Sequence, residues 1–412
     1  MFCPIGDNRT TGHRVYNTIM LFAKRAQWNN DTNPLMKAKA DQERLGKAYI
    51  DMANTNPTQC DFEFLHNKSY GLLGTNRCAE YAASAKGTIE AREAISHYYA
   101  SLNQKINPED IILTSGTSEA YTYLFKLFCN PNDAILAPTP SYPLLDYLAD
   151  VNDIQIKNYA LEHIEGAWTL PTITPEEFKG AKACIVIQPG NPTGHIMRPK
   201  DLAFIESQCA AAQCALIIDE VFQPYTANGI RMPQPESKAL SFKLNGISKL
   251  LALPQMKLSW IIVDGPTHLK AQAIEKLEVI ADTYLSVSGP IQANLSAWLK
   301  QRDIIHQEIN LRLKNNHATL EKILQNSPLC SQPRTGGWQS IIELPQDWSD
   351  EDSAIDLLKD KGVFLHPGYL YDLNHRPYWV VSLLLPEAQF CHALNEMLNF
   401  SYLKTNKHQA HN

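Results

Sequence analysis

No stretch of this 412-residue chain is both long enough to cross a bilayer and free of charged or strongly polar residues, so a membrane-spanning helix is not expected. The opening MFCPIGDNRTTGHRVYN carries no apolar core of the secretory type, and the expectation is a cytoplasmic protein. Excess positive charge is missing too. Lys and Arg number 37 against 43 Asp and Glu, a net charge of −6, so neither nucleic acid nor an anionic membrane would meet the positive field it needs. The nine cysteines are an odd number without close pairs; Cys209 and Cys214 are the nearest, and no histidine pair completes a zinc pattern around them. Buried reduced thiols are expected, with no disulfide framework and no metal. Solenoid repeats and low-complexity tracts are absent, and no Gly-x-Gly-x-x-Gly follows the first strand pattern, which argues against a dinucleotide-binding oxidoreductase.

What is present is an ordinary globular composition, 44% hydrophobic and 19% charged, in a chain long enough for two or three domains or one large α/β unit. Short apolar runs alternate with helical patterns: Asp110 to Thr114, Ala134 to Ala137, Ala183 to Ile187, Ala215 to Ile218 and Trp260 to Val263. Runs that are apolar throughout suit strands buried on both faces, as in a mainly parallel sheet flanked by helices. Pro290 to Leu329 reads as one long helical pattern. The expected organisation is a large domain over residues 70–289 and a smaller α+β domain assembled from residues 1–69 and 290–412, joined by that helix.

In an open α/β sheet, ligands sit beyond the carboxyl ends of the strands, so the residues that end each run matter most. The first run leads into Ser115-Gly116-Thr117-Ser118 and a helix, small residues that can present backbone N–H groups to a phosphate or serve only as a cap. The third leads into Gln188-Pro189-Gly190-Asn191-Pro192-Thr193-Gly194, by itself a turn cluster. The fourth ends in Asp219-Glu220, and Ser248-Lys249 precedes the fifth. A solvated lysine is inert, but a desolvated one loses proton affinity and becomes an imine-forming nucleophile.

Taken in order, SGTSEAY, APTPSYPLL, QPGNPTG, DEVF and SKLLALPQMKLSW resemble the fold-type I pyridoxal-phosphate enzymes, specifically the class I/II aminotransferases. The resemblance spans nearly the whole chain and implies pyridoxal 5'-phosphate as cofactor. It implies that Lys249 forms the Schiff base and moves the substrate proton, that Asp219 faces the pyridine nitrogen and keeps it protonated, and that Asn191 donates to the phenolic oxygen. Tyr142 would stack on the ring, with a core or turn aromatic as the equal alternative. Ser115, Gly116, Thr117 and Ser248 would line the phosphate. Tyr81 resembles the tyrosine that reaches the phosphate of a neighbouring subunit, implying a homodimer.

Three positions depart from the family pattern. Lys257 stands where an arginine usually clamps the phosphate, keeping the charge and losing the planar fork. Phe222 replaces a tyrosine that donates to the phenolic oxygen; Tyr225 is the nearest substitute donor, a core role being at least as natural. Val380 stands where an arginine usually forks the substrate carboxylate; either Arg376 or, second, Arg334 takes that task, although arginines are mostly solvated, or the substrate is not an ordinary α-amino acid. His366 and Tyr369 flank Pro367-Gly368 in the stretch expected to line the substrate pocket.

The expected activity is a pyridoxal-phosphate-dependent transfer of an amino group from an amino acid to a 2-oxo acid. The alternatives are a lyase, decarboxylase or condensing enzyme with the same fold and cofactor, and a non-catalytic cofactor-binding regulator.

Overall fold

A computed structural model describes residues 33–63, 83–164, 167–171, 173–226, 232–285 and 287–409; Tyr81 lies outside them. Its centre is a seven-stranded sheet in the spatial order Ile111–Thr114, Ser259–Asp264, Ser241–Gly246, Ala215–Asp219, Ala181–Ile187, Ala134–Thr139, Gln155–Ala160. Only Ser259–Asp264 runs antiparallel to its neighbours; the other six strands point one way. All five apolar runs are strands of this sheet, buried on both faces as continuous apolar character requires. On one face Ile112, Ile217, Leu244 and Ile261 pack with the helices Thr117–Phe128 and Thr267–Thr283. On the other, Val186 and Ile218 meet the helix Pro199–Ala212, while Leu113 and Trp260 meet Ile89–Ser101.

Two strands are not visible as apolar runs. Gln155–Ala160 is a largely exposed edge, so burial never demanded an apolar sequence there. Ser241–Gly246 is interrupted by Lys243 and Asn245, which are accommodated because protein oxygens surround the Lys243 ammonium and the Asn245 Oδ1 accepts from Gly246 N at 2.7 Å.

A second, antiparallel sheet is built from Cys330–Ser331, Gln339–Glu343, Tyr378–Ser382 and His366–Pro367. Its Ile342, Trp379 and Val381 belong to the same apolar cluster as residues of Arg302–Leu324, Asp350–Lys361 and Glu387–Gln409. The N-terminal helix Pro34–Arg44, capped by Asn33 Oδ1 accepting from Leu35 N at 2.8 Å, packs on Asp350–Lys361. Ile50–Asp51 pairs in parallel with Val363–Phe364.

The pattern from Pro290 to Leu329 divides into two helices, Gly289–Leu299 and Arg302–Leu324. Gln301 N turns back to the Trp298 carbonyl at 3.0 Å and the Arg302 guanidinium donates to the Leu299 carbonyl at 3.0 Å. The break is capped from within while the apolar periodicity runs through it, which is why the pattern does not reveal it.

Candidate active site

The site gathers at the carboxyl ends of the parallel strands. Thr114 and Gly246 both pair with Ser259, from opposite sides. That register brings the Ser115-Gly116-Thr117 turn and the Ile247-Ser248-Lys249 turn to one edge. The helix Thr117–Phe128 starts at Gly116 with no side chain capping it, so its first N–H groups and positive dipole end suit an anion. Lys257 is exposed on the turn that re-enters the sheet and acts electrostatically on Lys249.

Asp219 closes the strand Ala215–Asp219, with Oδ1 accepting from Val221 N at 3.1 Å and Oδ2 accepting from the Tyr121 hydroxyl at 2.9 Å. Burial raises its carboxyl to about 6; these hydrogen bonds and the nearby Lys249 ammonium hold it lower than burial alone would, while Glu220 pushes it higher. Lys249 sits in the short helix Ile247–Leu250. Its ammonium makes no hydrogen bond or ion pair among the described residues, and lies 5.2 Å from the Trp338 ring centroid and 5.7 Å from that of Phe222. Burial lowers it to about 8, with Asp219 opposing and Lys257 assisting that shift. Roughly a tenth of the amine is therefore neutral at pH 7, far more than for an ordinary lysine, as an amine nucleophile requires.

The Gln188 to Gly194 turn is held by Gly190 N donating to His195 O and Gly194 N donating to Gly190 O, each at 2.8 Å. Gly194 has φ +65°, and a Cβ there would fall 2.5 Å from the Gly336 carbonyl oxygen. This close approach seats the Gly336-Gly337 turn, and hence Trp338, against the site. Asn191 Oδ1 is buried without a hydrogen-bond partner, a polar group available to a bound molecule.

Other expected residues are placed differently. The Tyr225 hydroxyl donates to the Lys249 backbone carbonyl at 2.7 Å, and its ring packs on Trp338 at 5.0 Å. Its donor is engaged in holding the lysine turn, so the core reading prevails over the substitute donor. Tyr142 is half-buried beside the cluster containing Tyr371 and Val380. His366 is buried, with Nδ1 3.1 Å from the Tyr371 hydroxyl, which accepts from Gln339 Nε2 at 2.8 Å. Burial, assisted by Lys39, lowers His366 to about 3, so it is neutral. The Tyr369 hydroxyl donates to Glu351 Oε1 at 2.8 Å and accepts from Asn33.

The structure turns Arg376 away from the site. Its side chain is 56% exposed and paired with Glu343. Along the paired strands, Glu343 opposite Tyr378 lies four residues from Gln339 opposite Ser382, the end beside Trp338. That is roughly 13 Å of strand. Arg334 donates to the Gly337 carbonyl and acts on His317 of the helix Arg302–Leu324.

Sequence reasoning missed Tyr121 and Trp338. Tyr121 stands one helical turn beyond Thr117, on the face that meets the phosphate turn, and that spacing is the signal that could have found it. Trp338 had no local signal, because its place beside Lys249 depends on contacts of the Gly336-Gly337 turn with Gly194 and Tyr225, both distant in the chain. Among the described residues, no group of three His, Cys, Asp or Glu side chains is placed to hold a metal.

The family model for aminotransferase class I and II matches residues 66–380. The chain is 24% identical to the glutamate-pyruvate aminotransferase AlaA of Haemophilus influenzae, over 89% of this chain and 94% of that protein. It is also 24% identical to a tyrosine aminotransferase of Caenorhabditis elegans, covering 79% and 71%. Among solved structures, an alanine aminotransferase from Pyrococcus furiosus superposes with a TM-score of 0.79 at 22% identity, covering 89% of this chain and 96% of that one. A Thermus thermophilus aspartate aminotransferase variant gives 0.77 at 19% identity, covering 92% and 99%. With the family model covering most of the chain, the strand order that places Lys249 and Asp219 at one sheet edge has a plain meaning: this chain belongs to the class I and II aminotransferases, of fold-type I, and is a transaminase.

Proposed function

We propose that the chain carries pyridoxal 5'-phosphate on Lys249 and transfers the amino group of an amino acid to a 2-oxo acid, as a cytoplasmic homodimer. The observation that carries this reading is the pairing of an unengaged, partly neutral Lys249 amine with the buried Asp219 carboxylate across the ends of the Ala215–Asp219 and Ser241–Gly246 strands. The residues fit the cofactor: an uncapped helix start for its phosphate, the Asn191 amide, not held by a hydrogen bond through its oxygen, whose Nδ2 would donate to its phenolic oxygen, and a buried carboxylate for its ring nitrogen. When bound, the cofactor supplies an electron sink for the bond that breaks at the substrate carbon.

The chain's own residues do the rest. Asp219, aimed by Tyr121 and Val221 N, holds the proton on the ring nitrogen. Lys249 takes and returns the substrate proton, its amine kept partly neutral by burial. Trp338, Phe222 and Tyr225 pack around that amine and its turn, excluding water from their side. Ser115, Gly116, Thr117, Ser248 and Lys257 hold the phosphate. Residues 70–289 act as the cofactor domain, with residues 1–69 and 290–412 forming the smaller one.

The test is spectroscopic. The purified protein should absorb in the visible after incubation with pyridoxal phosphate. Alanine, glutamate or tyrosine should bleach that band, and pyruvate or 2-oxoglutarate should restore it. A protein that stays colourless overturns the reading; release of ammonia with pyruvate in place of reversible bleaching favours elimination.

A further inference from the structure

Asp219 is followed directly by a second buried carboxylate. Glu220 is fully buried, with Oε1 accepting from Gln234 Nε2 at 3.1 Å and Oε2 without a hydrogen bond, 3.8 Å from the Lys243 ammonium. Lys243, in the strand Ser241–Gly246, is half-buried, its side chain 11% exposed. Its ammonium donates to Gln104 Oε1 at 2.7 Å and to Gln234 Oε1, and lies 5.4 Å from the Tyr99 ring centroid.

The ammonium thereby ties four segments together: the loop after Ile89–Ser101, the segment before Ser241, its own strand, and the turn carrying Asp219. The other titratable groups facing Glu220 are Tyr98 and Tyr99 from the helix Ile89–Ser101, with Arg302 lying 5.9 Å from the Tyr98 ring. Four ionisable side chains meet here, the buried carboxyls of Asp219 and Glu220 and the amines of Lys243 and Lys249. Adjacent buried carboxylates resist ionising together unless each has a counter-charge. Asp219 has Lys249 for this purpose, and Glu220 has Lys243.

We propose that Lys243 and Glu220 form a positioning pair, in which Lys243 is the counter-ion to the Glu220 carboxylate next to Asp219 in the chain and so keeps Asp219 fit to hold the cofactor's ring nitrogen. This rests on the reading of Asp219 given above. A merely structural lysine would stabilise the strand without governing how Asp219 responds to pH.

The experiment compares the parent holoprotein with Lys243→Met, Glu220→Gln and the double variant. Retention of pyridoxal phosphate is followed by visible absorbance after gel filtration between pH 4.5 and 8. Lys243→Met should raise the acid midpoint for cofactor loss by about one pH unit, equivalent to about tenfold weaker retention in that range. Glu220→Gln should lower the midpoint, and the double variant should return it to the parent's value or below. The same proteins without cofactor are followed by thermal unfolding from pH 4 to 8. There Lys243→Met should lose stability relative to the parent as pH rises, because uncompensated carboxylates favour the protonated, low-pH fold, and the double variant should recover it.

A double variant as impaired as Lys243→Met, or melting temperatures that fall with no change in pH dependence, overturns the proposal. If the parent itself never gains visible absorbance, the cofactor reading fails, and the cofactor-free unfolding series still decides the charge pairing.

Discussion

The Tyr121 hydroxyl donates to the Asp219 carboxylate at 2.9 Å, both groups inside the protein. This bond favours the ionised carboxylate, while Asp219 and burial together keep the tyrosine hydroxyl protonated and therefore a donor. Tyr121→Phe should accordingly raise the Asp219 carboxyl further above its present value near 6. A group whose folded proton affinity is raised contributes stability below its unfolded value and loses it as pH rises through the folded one. Thus the variant's cofactor-free fold should lose stability up to a higher pH than the parent's, and cofactor should leave the holoprotein at a higher pH. An unchanged acid limb would show that the bond does not tune the carboxylate. Asp219→Asn should reduce turnover by about a hundredfold or more with the fold retained, as checked by circular dichroism.

On the proposed function Lys249 would react through its neutral amine. With its ammonium lowered to about 8, the rate of reconstitution with pyridoxal phosphate should rise about tenfold per pH unit below that value and level off above it. Stopped-flow absorbance measures this directly. Lys249→Ala should abolish the covalent absorbance and cut turnover by at least about 10³-fold.

Gly194 combines a positive φ with a 2.5 Å approach to the Gly336 carbonyl. Gly194→Ala should destabilise the protein by about 1–3 kcal/mol in urea unfolding, since both the backbone and the neighbouring turn must shift. Because that turn leads into Trp338, the loss should appear in kcat as well as in stability.

Arg376→Ala supplies the contrast. The arginine is exposed and paired with Glu343, so the KM for either substrate should change by less than about twofold, and the thermal unfolding midpoint should stay near the parent's. A large rise in KM for every amino acid tested would return Arg376 to the substrate site.

Legibility followed the physics of burial. Strands covered on both faces, such as Ala183 to Ile187, must be apolar throughout and could be read directly. The exposed edge Gln155–Ala160 and the charge-bearing Ser241–Gly246 could not, because neither needs an apolar run. The resemblance of their short motifs to a family, taken in order, marked Ser115-Gly116-Thr117, Asn191 and Lys249, each of which could be only a turn or surface residue when read alone. Tyr225 and Arg376 could not be placed from sequence for the opposite reason: a hydroxyl or guanidinium can turn toward any partner within reach, and the partners here, the Lys249 carbonyl and Glu343, come from elsewhere in the chain.

The linear chain determined the α/β class, the strand ends that face the site and, through the family resemblance of its short motifs, the amine and carboxylate proposed to carry the activity, because periodicity and short motifs are properties of neighbouring residues. Tertiary structure alone decided that Trp338 and Tyr121 serve those two groups, and that Lys243 faces Glu220. Desolvation and charge pairing depend on what surrounds a side chain in space, and most of that surrounding comes from residues distant along the chain.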